Sequence, residues 1–282
     1  MDARAHAPTV LRTRNSWFAP AISGAQHEFP RISGDFRSAG AILHPVPTTE
    51  PAVHEPTTAA RTAYAVNAGI AWFGIAATLV ISALDGYDRV PVEKGLYGDT
   101  AVGAAGAVTR VVDTLSYFTI WSNIVVAVSL TLLLARPLRA TATTRVLRLS
   151  GLLMITVTAI VYQVLLAPSV DVTGWSLLTY PVLHVVTPLL TVVVWVVWGP
   201  RGWITRREVP LALVIPLVWI VWMLARGAVV HAYPYGFANV EELGYATVAT
   251  TLVAILVFGL VLAAVFWGVE ARLLRRRGPD HG

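Results

Sequence analysis

Six apolar runs dominate the chain, at about 62–84, 112–134, 149–167, 177–198, 209–226 and 243–267. Each approaches the roughly 20 residues that a helix needs to cross the hydrocarbon of a bilayer. In lipid a backbone must satisfy its own polar groups, so runs of this length are restricted to helices. The predicted fold is therefore all-α, a polytopic membrane helix bundle of about six transmembrane helices within 61–270. The third and fifth runs are short, and tilt or local thinning of the bilayer absorbs the difference.

Composition supports this reading. The 282 residues are 56% hydrophobic and only 13% charged, with mean hydropathy +0.65, well outside the range of soluble domains. The absence of cysteine excludes disulfide frameworks, thiolate metal sites and cysteine nucleophiles. The net charge of +5 comes almost wholly from arginine, since Lys94 is the only lysine. Because the arginines sit at the ends of the apolar runs, they report topology rather than nucleic-acid binding. One set of alternate flanks holds Arg61, then Arg136, Arg139, Arg145 and Arg148, then Arg201, Arg206 and Arg207, then Arg272, Arg275, Arg276 and Arg277. The opposite set holds Arg89, Lys94, Arg110 and Arg226 beside seven acidic residues. Positive charge accumulates on the cytoplasmic side, so both termini are expected inside a multi-pass protein of the cell membrane.

Residues 1–60 are rich in Pro, Ala, Thr, Ser and Gly and read as a disordered tail. Four histidines lie there, His6, His27, His44 and His54, irregularly spaced and without a carboxylate cluster, as solvated side chains would be rather than metal ligands. No apolar core of a cleavable signal peptide is present in the tail. Residues 271–282 form a basic cytoplasmic tail. The chain has no nucleotide-binding glycine loop, no GxSxG elbow and no HExxH helix, so neither cofactor nor metal is expected.

Two polar sites interrupt the apolar runs. His184 is the only side chain that titrates near neutral pH in TYPVLHVVTPLLTVVVWVVW (179–198), between Pro181 and Pro188. Thr119, Ser122 and Asn123 stand at i, i+3 and i+4 in the second run and so share a helix face. With both runs descending from the outer side, Thr119 and His184 each lie about seven residues into their helices, roughly 10 Å below the outer edge. Thr250 and Thr251 fall in the same layer. Polar groups in hydrocarbon are costly and mark functional sites, although Ser and Thr also bond back to their own helix, and a neutral histidine can bridge two helices. A neutral imidazole is also the form a general base requires. The outer loop 225–245 is the other polar cluster: Arg226, His231, Tyr233 and Tyr235 can cap a cavity or contact substrate, or anchor at the interface as belt residues.

Between about 62 and 267 the chain resembles the androgen-induced gene and androgen-dependent TFPI-regulating proteins and their bacterial integral-membrane relatives. The resemblance rests on Phe118-Thr119, on His184 with Pro188 one turn later, on WGP at 198–200 and on the RG…YPYGF…GY loop. It implies an intramembrane hydrolase of fatty acid ester lipids, with Thr119 as nucleophile and His184 as base. Ser122 or Asn123 would be polar support or oxyanion donors. The implied partners are the bilayer and a lipid ester substrate. A non-enzymatic carrier or scaffold is the alternative, although charged residues inside the spans and repeat symmetry, which a carrier would show, are not evident. The chain departs from the family in its long tail and its long loop before the second run.

Overall fold

The computed structural model describes residues 55–169 and 171–276. The four tail histidines and residues 277–282 of the basic tail lie outside them. Seven helices are described: α1 (Thr58–Ala83), α2 (Ala107–Ser116), α3 (Phe118–Ala135), α4 (Ala142–Leu166), α5 (Ser176–Trp198), α6 (Glu208–Val230) and α7 (Val240–Arg276). All but α2 are long and apolar enough to cross a membrane, and among the described residues there is no strand. The chain is a multi-pass helical membrane protein.

Local chemistry sets the helix ends. Thr57 and Thr141 cap α1 and α4, their hydroxyls accepting the N–H groups of Ala60 and Thr144 at 3.2 Å. Gly244 adopts φ 71°, a left-handed conformation that suits glycine, and kinks α7 after its first turn. Val253, Val257, Val261 and Val265 recur one helical turn apart and are each more than half exposed. In water that stripe would be an apolar patch; in a bilayer it faces lipid. Small residues line the inside, where Ala68 and Ala71 of α1 meet Val126 and Ala127 of α3, permitting close backbone approach. Asn67 crosses from α1 to Thr191 of α5 at 3.2 Å.

Prolines leave carbonyls that neighbours fill. Pro216 cannot donate to Ala212, and Ser150 of α4 donates to that carbonyl at 3.1 Å instead.

The span boundaries differ from expectation in three places. The second run is two helices, broken at Tyr117, whose φ −74° and ψ 137° are extended. The break is stabilised by indoles: Trp121 donates to Leu115 O at 2.8 Å and Trp219 to Ser116 O at 3.0 Å. Thr119 is therefore in the first turn of α3, not deep within a longer helix. Arg148 lies inside α4 rather than on a solvated flank and is 3% exposed. Arg226 lies in the last turns of α6, and Glu241 and Glu242 open α7, where their charge suits the helix N-terminus.

At the end of the bundle that holds the α5–α6 loop, Glu270 of α7 is fully buried and receives Arg201 at 3.2 Å and the Gly202 N–H at 2.8 Å. At the opposite end, the α1–α2 and α6–α7 loops are joined backbone to backbone. Tyr233 N–H donates to Gly95 O at 2.8 Å, Tyr97 N–H to Tyr233 O at 3.0 Å, and Asn239 Nδ2 to Lys94 O at 2.8 Å. Tyr233 packs so closely over Gly227 that a Cβ there would sit 2.0 Å from its ring. Gly227→Ala is therefore expected to displace Tyr233 and cost about 1–3 kcal/mol, read as a lowered thermal midpoint in detergent; an unchanged midpoint would contradict this packing.

Candidate active site

Thr119 and His184 meet. The Thr119 Oγ and His184 Nε2 are 3.2 Å apart, and both residues are 8% exposed. The other imidazole nitrogen, Nδ1, lies 3.1 Å from Tyr180 O. A carbonyl can only accept, so Nδ1 carries the proton of the neutral ring and Nε2 presents a lone pair to the Thr119 hydroxyl. Thr119 donates to His184, and His184 donates to Tyr180. No carboxylate orients the histidine; a backbone carbonyl one turn back does so.

Three features hold the imidazole. Its ring stacks on Tyr162 at 4.0 Å between centroids, and Tyr180 closes the edge at 5.5 Å. The helix is also widened here, because residues Val182–Val186 form a π-turn in which the Thr187 N–H reaches back to Val182 O. Such turns concentrate at functional sites. Pro188 has no N–H with which to continue that register, which leaves Leu183 O free; Asn123 Nδ2 fills it at 3.3 Å.

Ser122 and Asn123 are both fully buried beside the pair. The Ser122 hydroxyl lies 2.8 Å from Thr119 O, to which it donates, and 2.9 Å from the Thr158 hydroxyl. Asn123 Nδ2 also donates to Thr119 O, at 2.8 Å. Their donors thus hold the first turn of α3. Thr250 and Thr251, placed by depth in the same layer, instead bond back to Ala246 O and Thr247 O of their own helix.

The residues singled out in the 225–245 loop separate into two groups. Arg226 pairs with Asp113 at 2.6 Å and covers the Tyr97 ring at 4.5 Å, so it closes α2 onto α6. His231 is exposed and pairs with Glu241 at 2.9 Å. Tyr233 fastens the two loops. Only Tyr235 of this set borders the same cavity as Thr119: it is buried, packed edge-on against Tyr117 at 5.5 Å and stacked on Phe237 at 5.1 Å. Burial pushes its phenol up to about 12, so it remains a hydrogen-bond donor at neutral pH.

A cavity of about 60 Å³ opens beside Thr119, more than one water requires. Thr119, Thr158, Tyr162 and Tyr235 edge it, and its remaining walls are mostly apolar side chains of α4, α6 and α7, including Met154, Ile220, Leu252 and Leu256. His184 does not line it. Thr119 therefore stands between the cavity and the imidazole, which is the order a nucleophile and its base require.

Sequence reasoning missed Tyr162, Tyr180 and Asp113. Tyr180 had a signal, since it precedes His184 by one helical turn; Tyr162 had none, because it comes from another span. The chain matches no protein-family model, no curated protein and no solved structure.

Proposed function

We propose that the protein is an intramembrane hydrolase of lipid acyl esters in the cell membrane, with Thr119 as nucleophile and His184 as general base, related to the androgen-induced gene and androgen-dependent TFPI-regulating proteins. The observation that carries this reading is the hydrogen-bonded Thr119–His184–Tyr180 O chain at the wall of an apolar cavity. A histidine bridging two helices for stability alone has no need of a partner hydroxyl facing a cavity.

In the proposed reaction, His184 Nε2 takes the Thr119 proton as Oγ bonds to the ester carbonyl carbon. The carbonyl π pair moves to oxygen; when it returns, the alkoxide leaves and takes the proton from His184 as the free alcohol. Water then attacks the acyl-threonine, gives a proton to Nε2, and Thr119 recovers it as the fatty acid departs. The apolar walls suit an acyl chain, and the substrate class is a lipid ester reaching the outer half of the bilayer.

The test is reaction of the purified protein with a long-chain fluorophosphonate, which transfers phosphorus to an activated hydroxyl and releases fluoride. Labelling is expected in the native chain and is expected to vanish in Thr119→Ala and His184→Ala with the fold retained. Labelling that survives Thr119→Ala would contradict the proposal and leave a carrier or scaffold as the better account.

A further inference from the structure

Tyr235 stands where the acyl carbonyl must go. Its ring lines the same cavity as Phe118 and Thr119, and its phenol is near enough to the Thr119 side chain and to the Phe118 and Thr119 backbone for them to oppose the upward push of burial on its proton. The Phe118 and Thr119 N–H groups are free because the extended Tyr117 starts α3 at Phe118, and the Tyr117 side chain caps none of them. The first intrahelical donors of α3 come later, with Ile120 and Trp121 both reaching Tyr117 O. The Tyr235 phenol thus lies near Thr119 at the open start of α3, and Ser122 and Asn123 have no donor to spare for that spot. Ser122 and Asn123 serve Thr119 O, and Asn123 serves Leu183 O as well.

We infer that Tyr235 is a third catalytic residue of this centre, its hydroxyl donating to the carbonyl oxygen of the bound acyl ester together with the Phe118 and Thr119 N–H groups. This rests on the threonine-hydrolase reading above. As the Thr119 Oγ–carbon bond forms and His184 receives the proton, the carbonyl pair becomes an oxyanion. Tyr235 and the two amides hold it, aided by the positive end of the α3 dipole. Tyr235 keeps its proton throughout; it donates a hydrogen bond and transfers nothing. When the oxyanion collapses and the alcohol leaves, the phenol returns to its contact with Thr119. Packing against Tyr117, Trp219 and Phe237 holds the ring through the cycle, and the backbone link between the α1–α2 and α6–α7 loops fixes the segment that carries it.

A tyrosine that merely capped α3 would have the same contacts at rest, so the experiment must separate the two roles. The full chain in detergent is assayed with a long-chain ester, and with two ligands of the same chain length: a trifluoromethyl ketone, which forms a tetrahedral oxyanion adduct with the threonine, and the free alcohol, which does not. In Tyr235→Phe, kcat is expected to fall by about 10²–10³-fold with KM little changed. Ketone affinity is expected to fall similarly while alcohol affinity holds. A lowered melting temperature with kcat and the ketone-to-alcohol ratio unchanged would overturn the inference in favour of a cap, and a rise in kcat would overturn it in favour of a plug. Should Tyr235→Phe not fold, difluorotyrosine at 235 preserves the packing and ionises closer to neutrality. The inference then requires kcat to fall as that phenol loses its proton, and an unaltered pH profile overturns it. If the native chain itself neither hydrolyses the ester nor binds the ketone, the hydrolase reading fails and Tyr235 with it; if only the variant results fail, the reading stands without Tyr235.

Discussion

Thr119→Ala is expected to reduce ester hydrolysis by about 10⁴-fold or more, the scale on which removal of a nucleophile or its base acts. Thr119→Val is expected to do the same. It preserves the branched shape and differs in the hydroxyl alone, so a Thr119 that only packs would tolerate it. Thr119→Ser keeps a hydroxyl within reach of His184 Nε2 and should retain activity. His184→Gln can still accept a hydrogen bond but cannot carry a proton between substrate and water, and it should fall as far as Thr119→Ala. The two losses should not add, because each variant already disables the same step. Additive losses in the double variant would show that Thr119 and His184 act separately. The check is kcat on a long-chain ester, with thermal melting to establish that each variant is folded.

The second large effect concerns stability and lies at the opposite end of the bundle. Glu270 is the fully buried anion that receives Arg201 at 3.2 Å. Arg148 is also buried, with its Nε and Nη2 lacking hydrogen-bond partners. Glu270→Ala would leave Arg201 unpaired in a region that already holds a second guanidinium, and the Gly202 N–H would lose its acceptor. Breaking a buried pair from one side costs about 3–5 kcal/mol. A contrasting variant sets the scale: Arg206 lies over the Trp267 ring at 4.8 Å, and Arg206→Ala is expected to cost about 0.5–1 kcal/mol, as for an exposed cation–π contact. Denaturant titration in detergent measures both, and equal effects would contradict the importance given to Glu270.

The spans were legible because hydrophobic length is a one-dimensional signal. The six runs correspond to six membrane-length helices, and His184 stands out as the one side chain of its run that titrates near neutral pH. The break at Tyr117 was not legible: the residues around it read as a continuation of the second run, and the indoles that hold the freed carbonyls come from Trp121 and from Trp219, about a hundred positions away. Arg148 illustrates a similar limit. Its place at the end of an apolar run marks it as a flank, whereas the helix extends past it and buries it beside Arg201 and Glu270.

At the site, depth arithmetic placed Thr119 and His184 in one layer but could not say which helices touch. It also placed Thr250 and Thr251 there, and those side chains turn back to their own helix. What orients His184 is the carbonyl of Tyr180, and a backbone acceptor has no residue identity to read. The π-turn is equally hidden, since it depends on Pro188 leaving the Leu183 carbonyl to Asn123 of another span. Tyr235 was legible as part of an aromatic loop, but its separation from His231, Tyr233 and Arg226 needed the fold.

The central claim, that Thr119 is an activated nucleophile, is tested most directly by locating the covalent bond. After reaction with a long-chain fluorophosphonate, digestion and mass spectrometry should find one phosphonylated peptide with the modification on Thr119, absent when His184 is replaced by Ala. Modification on another residue, or on Thr119 at an undiminished rate without His184, would contradict it.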